Sequence, residues 1–197
     1  MDSWKERTIL LLGEKSVKTL QDKHVLVVGL GGVGAYAAEQ LARAGIGELT
    51  IIDGDKINES NRNRQLLALE STQNLDKATL MQERLLDINP QIKLHVINEY
   101  IIEERFEDIL KQAYDYVVDA IDTLAPKVHL ISCSLHQKYP IISSMGAGGK
   151  LDPSLIQIAD ISDSYNDNLA RMLRKRLHKQ GIYTGIKVVF SSEKIDP

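Results

Sequence analysis

The sequence predicts an α/β protein with a doubly wound, mostly parallel sheet. Short apolar runs alternate with segments whose apolar residues recur at helical spacing. A glycine-rich turn, GLGGVG at 29–34, stands between the first apolar run and a helical segment, and acidic residues fall where several runs end. Because strand–helix–strand units close with right-handed crossovers, we expect parallel strands with helices on both faces.

The elements are predicted in chain order from this spacing and from the residues that begin or end them. Asp2 or Ser3 suits the N-cap of the first helix, and Gly45 and Pro90 suit the ends of two others. The run HVLVVG does not alternate, which is typical of a strand buried on both faces. The predicted helices are 4–12, 15–20, 33–44, 75–88, 103–113, 126–137 and 167–179. The predicted strands are 24–29, 47–53, 93–98, 114–122, 140–145 and 185–192. GAGGKLDPSLIQIAD (146–160) predicts a glycine turn and a hairpin around Asp152-Pro153, so the sheet gains a C-terminal hairpin and strand extension.

The composition is that of an ordinary globular chain, with 197 residues, 43% of them hydrophobic. We expect one domain over 1–197: leading helices at 1–22, a core at 23–160, and a basic helix with a final strand at 161–197. The net charge of -3 argues against non-specific coating of nucleic acid. The apolar run at 9–12 is too short for a signal peptide or a membrane span, so we expect no membrane contact. The single cysteine, Cys133, fits a reducing cytosol, so we expect a cytoplasmic protein.

The turn GLGGVG matches G-x-G-x-x-G, the pattern of Rossmann-like nucleotide sites. Gly29 permits the tight turn, Gly31 lets the backbone approach a phosphate, and Gly34 lets the helix pack close to the strand. Asp53, at the end of the next predicted strand, suits a ribose hydroxyl. We expect these glycines, Asp53 and the acids at 119–122 to meet at one crevice. The motif alone does not decide between NAD and ATP.

A polar segment of about twenty residues follows Asp53, and such loops are usually functional or disordered. Arg62 and Arg64 are planar donors suited to phosphate, and Asp55 is a second acid beside the predicted ribose site. Lys77, in the first turn of the next helix, opposes the helix dipole, and a polyanion nearby would compensate. A solvated surface loop explains the segment as well, so both interpretations stay open.

The segment VVDAID (117–122) ends a predicted strand with two acids, Asp119 and Asp122. A carboxylate at this place can hold magnesium on a nucleotide. Alternatively, Asp122 or Thr123 caps the next helix, which carries Lys127. Capping leaves Asp119 unassigned, and the residues alone do not decide.

Several motifs together resemble the ATP-dependent adenylating superfamily of ubiquitin-activating enzymes and their bacterial ThiF- and MoeB-type relatives. They are the glycine loop, IIDGD (51–55), SNRNRQ (60–65), DKA (76–78) and DAID (119–122). The resemblance covers nearly the whole chain. It implies an enzyme that attacks the α-phosphate of ATP with a carboxylate and expels pyrophosphate. It also implies ATP and Mg²⁺ as cofactors, and neither zinc nor NAD.

The resemblance also implies the site residues. The ATP-binding set is Gly29, Gly31, Gly32, Gly34, Asp53, Asp55, Asn61, Arg64, Lys77 and Asp122. The catalytic set is Arg64, Lys77, Asp122 and Arg7. Asp122 would lie beside the magnesium, and Arg7 would be offered across a homodimer interface.

Within the superfamily, four stretches are most similar to the bacterial tRNA threonylcarbamoyladenosine dehydratases: SNRNRQ, DAIDTLAPK, GAGGKLDP with IQIAD, and DNLARMLRKRLHKQGI. The similarity implies that the enzyme adenylates the carboxylate of threonylcarbamoyladenosine next to the anticodon of tRNA. The modification's own ureido nitrogen then closes a ring, and AMP and pyrophosphate are released. It also implies sulfur-transfer or desulfurase partners. Relatives usually continue beyond FSSEKIDP, which leaves open a truncation after Pro197.

The alternative is an activator that adenylates the C-terminal glycine of a ubiquitin-like sulfur carrier of the ThiS or MoaD type. Such activators commonly carry C-x-x-C pairs, whereas Cys133 is the one cysteine of this chain. Two further hypotheses are an inactive nucleotide-binding subunit and an NAD-dependent dehydrogenase. The first does not need Arg64, Lys77 and Asp122 together, and the second has no use for SNRNRQ.

The helix at 167–179 carries a run of basic residues without an acid, RMLRKRLHK. Its basic side chains are Arg171, Arg174, Lys175, Arg176 and Lys179. An amphipathic helix with a solvated face explains the run on sequence alone. The implied tRNA substrate favours contact with the phosphate backbone. The five histidines are scattered and predict no metal cluster.

Overall fold

The structure, a computed structural model, describes residues 3–195, and the side chains of Ser3, Glu103 and Glu104 are outside that description. The two N-cap side chains predicted for the first helix, those of Asp2 and Ser3, therefore lie outside the described residues. Within 3–195, no helix combines the length and the apolar character needed to cross a membrane.

Helices and strands alternate along the chain. The helices are α1 (Glu6–Leu12), α2 (Glu14–Gln21), α3 (Gly34–Ala44), α4 (Lys77–Ile88), α5 (Glu103–Ile109), α6 (Leu124–His136) and α7 (Asn168–His178). The strands are β1 (His24–Val28), β2 (Glu48–Ile52), β3 (Lys93–Ile97), β4 (Tyr116–Asp119), β5 (Ile141–Ser144), β6 (Ile156–Asp160) and β7 (Lys187–Ser191). The predicted fold class is confirmed, because these strands make a mostly parallel seven-stranded sheet with one antiparallel pair near the C-terminus.

The predicted hairpin around Asp152-Pro153 is wrong. Asp152 instead accepts a hydrogen bond from the N–H of Ser154 at 2.8 Å and begins a 3-10 turn, Pro153–Leu155. Strand β6 then pairs antiparallel with β7, while β5 pairs parallel with β7. Because α7 lies between β6 and β7 in the chain, local turn signals could not predict this pairing.

Strand β4 is shorter than the predicted 114–122 and ends at Asp119. The Asp119 carboxylate accepts a hydrogen bond from the N–H of Ile121 at 3.1 Å, two residues ahead. Aspartate side chains that bond their own backbone in this way favour turns over extended strand. The chain therefore leaves the strand before Asp122.

The chain forms two compact units. The first contains the residues up to Ile101 together with Ala113–Tyr116. In it, β1, β2 and β3 are parallel in the order β3-β2-β1. Helix α3 contacts β1 and β2, and α4 contacts β3. The glycine loop follows β1 and Asp53 follows β2, so both lie at the carboxyl edge of these strands, where doubly wound sheets bind ligands.

The second unit contains Ile102–Gln112 and the residues from Val117 onwards. Its strands have the order β4-β5-β7-β6, and β4, β5 and β7 are parallel. Helix α6 contacts α5 and α7, with Leu130, Leu173 and Leu177 buried. The carboxyl ends of the parallel strands bring three segments to one edge: DAID, the GAGG turn and the residues after Ser191.

Candidate active site

The glycine loop joins β1 to α3. Gly29 has a φ of 89°, in the left-handed region that favours glycine, and its N–H donates to the carbonyl of Ile52 at 2.8 Å. The N-cap of α3 is Val33, and no side chain caps this helix end. Uncapped N–H groups at a helix N-terminus, together with the helix dipole, attract phosphate.

Asp53 ties the end of β2 to the glycine loop. Its carboxylate oxygens accept hydrogen bonds from the N–H of Leu30 at 2.6 Å and the N–H of Asp55 at 2.7 Å. Burial raises the pKa of Asp53 above its ordinary value, although these two bonds lower it. A carboxylate oxygen can accept a second hydrogen bond, so Asp53 retains capacity for a ribose hydroxyl.

The polar loop after Asp53 folds back onto the glycine loop. A methyl group on Gly32 would lie 3.6 Å from Cγ of Arg64, and one on Gly31 would lie 3.7 Å from Nε2 of Gln65. The loop is shaped by a capping box in which Asn58 accepts from the N–H of Ser60 and Asn61 accepts from the N–H of Asn58, each at 3.1 Å. Two motifs that are distant in sequence therefore form one surface of the first unit.

The two arginines of the loop have different surroundings. Arg62 Nη2 lies 2.7 Å from Oε1 of Glu59, and Arg62 Nη1 pairs with Glu70. Two carboxylates therefore neutralise Arg62 inside the loop. This ion pairing explains the position of Arg62 without a ligand.

Arg64 is exposed, and its Nη1 donates to the carbonyl of Ser60 at 2.9 Å and to Oδ1 of Asn63 at 2.8 Å. Both partners are neutral, and no carboxylate in the described part of the chain forms an ion pair with Arg64. The aliphatic part of Arg64 lies beside Gly32, and Asn63 orients the guanidinium, whose charge no described carboxylate compensates.

Lys77 is buried, with its Nζ 2.7 Å from Oδ2 of Asp55. Burial alone would raise the pKa of Asp55, but hydrogen bonds from Lys77 and Tyr100 and the charge of Lys77 hold it below its ordinary value. The N–H of Lys77 also donates to the carbonyl of Asp55 at 3.0 Å. The pair fixes a lysine at the start of α4, and an ammonium group has donors to spare.

Gln65 is a residue to which the sequence assigned no role. Its Oε1 is buried and has no hydrogen-bond partner among the described residues, and its Nε2 borders Gly31. A buried amide oxygen without a donor is costly, so a donor from a ligand or water is expected there. Only its position at the end of SNRNRQ could have drawn attention to it.

Asp119, in the second unit, belongs to a buried polar network. Both Asp119 and Lys127 have fully buried side chains, with Lys127 Nζ 2.9 Å from Oδ2 of Asp119. The Ser143 hydroxyl also donates to Asp119, and Lys127 donates to the carbonyl of Ile121 at 2.8 Å. Asp119 is thus fully engaged in holding β4, β5 and α6 together.

Asp122 is exposed at the start of α6. The N-cap of α6 is Thr123, and no side-chain cap bond forms there. Over residues 3–195, no hydrogen bond or ion pair engages the Asp122 carboxylate. The capping alternative for DAID is therefore not realised, and Asp122 remains available to a ligand or metal.

The five basic residues of α7 divide into two kinds. Arg174 is half-buried, and its Nη1 donates to the carbonyls of Ser164 at 2.8 Å and Ile161 at 3.2 Å. It therefore secures the turn before α7. The other four are exposed and, with Leu124 and Met172, line a groove of about 490 Å³. They are Arg171, Lys175, Arg176 and Lys179. The predicted tRNA-binding set is brought together except for Arg174.

Arg7 is exposed on α1, and no hydrogen bond or ion pair in the described range engages it. Large apolar side chains on the same helix are also exposed: Leu10 by 73% and Leu11 by 82%. An apolar surface of this kind beside a cation is typical of an interaction site.

The histidines are less scattered than the sequence indicates. In the described range, two groups bring ligand atoms within 4.8 Å of one another: His24 with Glu48 and His95, and Glu107 with His129 and Cys133. In the first group, Glu48 already pairs with Lys93 at 2.9 Å, and burial lowers the pKa of His24. In the second group, burial and the charge of Glu107 raise the pKa of the Cys133 thiol. Both effects favour uncharged side chains.

Comparison with known proteins identifies the family. The ThiF family model matches residues 5–190. The chain belongs to the ThiF family. A tRNA threonylcarbamoyladenosine dehydratase of Bacillus subtilis is 43% identical over 187 residues, which is 95% of this chain and 74% of that protein. The crystal structure of Escherichia coli TcdA, a tRNA N6-threonylcarbamoyladenosine dehydratase, in complex with ATP has a TM-score of 0.93 and 39% identity, covering 99% of this chain and 84% of that one. The same enzyme in complex with AMP matches equally well.

ThiF-family members that act on sulfur carriers are more distant. The sulfur carrier protein ThiS adenylyltransferase of Escherichia coli is 35% identical over 134 residues, which is 67% of this chain and 53% of that protein. The dehydratases thus match both more closely and over more of the chain. Among these relatives, the resemblance seen in the motifs is confirmed at the level of the dehydratase group.

Proposed function

We propose that this chain is an ATP-dependent tRNA threonylcarbamoyladenosine dehydratase. The observation that carries the proposal is the match to dehydratases over nearly its whole length, at 43% identity to one and a TM-score of 0.93 to another. The arrangement at the glycine loop supports it chemically. An uncapped helix end, the exposed cation of Arg64 and the buried cation of Lys77 lie in the unit that carries Asp53, and a nucleoside triphosphate offers partners for all of them.

In the proposed reaction, a carboxylate oxygen of the threonylcarbamoyl group attacks the α-phosphorus of ATP. The bond to the bridging oxygen of the β-phosphate breaks, and pyrophosphate leaves. The ureido nitrogen then attacks the carbonyl carbon of the acyl adenylate, loses its proton, and expels AMP. The nucleoside loses one water in total, and the ATP is split into AMP and pyrophosphate. Both reacting groups of the second step belong to one molecule, so the enzyme needs no nucleophile of its own.

We assign the phosphate contacts to Arg64, Lys77 and Asn61. Arg64 and Lys77 stabilise the charge that develops on the α-phosphate and on the leaving pyrophosphate. The first-turn N–H groups of α3, after Gly31 and Gly32, hold the phosphates, and Asp53 accepts a ribose hydroxyl. Asp55 holds Lys77 in place through their ion pair. Gln65, with its unpartnered Oε1, contributes a further acceptor.

We assign the magnesium contact to Asp122. The donor set fits, because a hard cation takes carboxylate and phosphate oxygens, and the Asp122 carboxylate is exposed and not engaged as a helix cap. Bound magnesium would neutralise phosphate charge. Asp119 has no share in this role, since its carboxylate is occupied by Lys127 and Ser143.

We also propose a cytoplasmic homodimer in which α1 faces the second copy. Leu10 and Leu11 would be covered at the interface, and Arg7 would reach the partner's ATP. The tRNA would lie along the groove of α7, with its phosphates on the four exposed basic residues. Sulfur-transfer proteins remain proposed partners.

The alternative is adenylation of a sulfur carrier's C-terminal glycine. Its support is the shared chemistry and the match to the ThiS adenylyltransferase, which is more distant than the match to the dehydratases. One experiment separates the two. The protein is incubated with ATP, magnesium and tRNA carrying threonylcarbamoyladenosine, and the nucleosides are then digested and weighed. We expect the modified nucleoside to lose the mass of one water, only when ATP is present. An unchanged mass, with adenylation of an added sulfur carrier, would favour the alternative.

A further inference from the structure

A cavity of about 330 Å³ opens at the N-terminus of α7, in the second unit. It is lined mainly by polar side chains: Asn166, Asp167, Asn168, Arg171, Arg174 and Lys194. Its volume is at the lower end of the range typical of small-molecule sites. It contains none of the residues assigned to the phosphates of ATP, and it shares only Arg171 with the groove of α7.

Asp167 is the buried acid of this cavity, only 6% exposed. Its Oδ1 caps α7 by accepting from the N–H of Ala170 at 2.7 Å. Its Oδ2 is buried and lacks a hydrogen-bond partner among the residues that the structure describes. A buried carboxylate oxygen without a donor is costly, so a donor is expected from outside the described residues.

The GAGG turn after β5 lies against two residues that line the cavity, Asp167 and Ile195. A methyl group on Gly146 would lie 3.4 Å from Oδ2 of Asp167, and one on Gly149 would lie 3.3 Å from Cδ1 of Ile195. Side chains at these positions would crowd the carboxylate and the cavity rim. Lys150, the next residue, donates to the carbonyls of Asn166 at 2.8 Å and Glu193, and so ties the turn to the segments that contain these two residues.

The cavity has the placement of a ligand site. Gly146 follows the end of β5, and Lys194 follows the end of β7, while Asp122 follows the end of the parallel strand β4. All three therefore lie at the carboxyl edge of the parallel strands in this unit, where doubly wound sheets bind their ligands.

The charges around the cavity restrict the chemical class of the ligand. Arg171 and Lys194 are exposed cations on its rim, whereas Arg174 is committed to backbone carbonyls. Arg171 also lines the groove that we assign to tRNA phosphates. A buried carboxylate repels the phosphates of a nucleic acid, so the oxygen of Asp167 that does not cap α7 suits an N–H or O–H donor of the ligand.

We propose that this cavity receives the modified nucleoside of the tRNA, with an N–H or O–H group of that nucleoside donating to Asp167 Oδ2. The adjacent phosphate binds Arg171 and Lys194. The inference rests on the proposed function for the identity of the nucleoside. It assigns Asp167 and the GAGG turn to substrate recognition.

Asp167→Asn tests the proposal with little change in shape. Asparagine is a good N-cap, so Oδ1 still accepts from Ala170, while an NH₂ group replaces the unpartnered oxygen. The measured quantity is the ratio of dissociation constants for tRNA without and with the modification, at fixed salt. For wild type we expect preference for modified tRNA, and for Asp167→Asn a loss of about tenfold or more in that ratio. Affinity for unmodified tRNA and for ATP should not fall.

Two further variants keep the test decisive. Gly146→Ala places a methyl group against Asp167 without backbone strain, because Gly146 lies outside the left-handed region, and it should lower the same ratio. Asp163→Asn removes an equal charge from an exposed neighbouring position and should leave the ratio unchanged. Asp167→Asn and Gly146→Ala with wild-type ratios, or a wild type that does not distinguish the two tRNAs, would overturn the proposal. The ratio is a binding measurement, so it tests this proposal even if the wild type does not dehydrate the nucleoside. A failure to dehydrate would count against the proposed function instead.

Discussion

Replacing Asp119 by asparagine separates the structural acid of DAID from the one that we assign to magnesium. In wild type, Oδ2 of Asp119 lies 2.9 Å from Nζ of Lys127 and accepts a hydrogen bond from the Ser143 hydroxyl. Both side chains of the ion pair are fully buried. In Asp119→Asn, Oδ1 can still accept from the N–H of Ile121, but an NH₂ group faces two donors. Lys127 is left as a buried charge without its counter-ion.

The magnitude follows from this burial. Removing one partner of a buried ion pair costs about 3–5 kcal/mol, because the remaining charge is uncompensated. For a chain of this length, about 2–4 °C of melting temperature is lost per kcal/mol, so we expect a fall of roughly 6–20 °C. Asp119→Asn combined with Lys127→Met removes both charges and should be more stable than the single Asp119→Asn variant.

The assay is urea and thermal unfolding followed by circular dichroism, with Asp122→Asn as the matched control. Because Asp122 is exposed and unengaged within the described range, its substitution should change stability by less than about 0.5 kcal/mol. Its dehydration rate should fall by about a hundredfold or more. The reasoning would be refuted if Asp119→Asn were as stable as wild type, or if Asp122→Asn unfolded as readily as Asp119→Asn.

Three further predictions follow from the site. Arg64→Ala should lower kcat/KM for dehydration by about a hundredfold or more, whereas Arg62→Ala, which loses only ion pairs on the surface, should stay within about twofold; equal losses would contradict the assignment. Lys175→Glu should weaken tRNA binding and flatten its salt dependence, while Arg174→Ala should mainly lower stability. Filter binding and unfolding curves measure the two effects. Weaker tRNA binding in Arg174→Ala, with lower stability in Lys175→Glu, would contradict this assignment. The pKa of Asp55 is lowered in the folded chain, so its contribution to stability is present at neutral pH and is lost as the pH falls below about 4. Asp55→Asn should thus be less stable than wild type at pH 7 and nearly as stable as wild type below about pH 4. A difference in stability that persists in acid would argue against the lowered pKa of Asp55 as its cause.

Local sequence signals predicted most elements to within two residues, because buried parallel strands and amphipathic helices have distinct spacing. They failed where pairing is non-local. The strand after Asp152 joins β7 across α7, and the local signal of Asp152-Pro153 marks a 3-10 turn. The early end of β4 depended on a side-chain bond from Asp119 to its own backbone.

The sequence indicated which residues to consider for the candidate site, but not which of them are already engaged by other residues of the chain. Arg62 and Arg64 are the same residue type in the same short motif, and only the positions of Glu59 and Glu70 in the structure show that Arg62 is neutralised. Arg174 likewise belongs to a basic run, yet it serves a turn. The unpartnered oxygens of Gln65 and Asp167 are properties of burial, which no spacing rule reveals. Whether the glycine loop and DAID meet at one crevice stays a prediction.

The central claim is that the enzyme adenylates the carboxylate of the modified nucleoside. The most direct measurement labels that carboxylate with heavy oxygen in the tRNA and weighs the AMP released with the cyclic product. If the carboxylate attacks the α-phosphorus and both of its oxygens are labelled, AMP must leave with one labelled oxygen in every turnover. Unlabelled AMP formed together with the dehydrated nucleoside would contradict it.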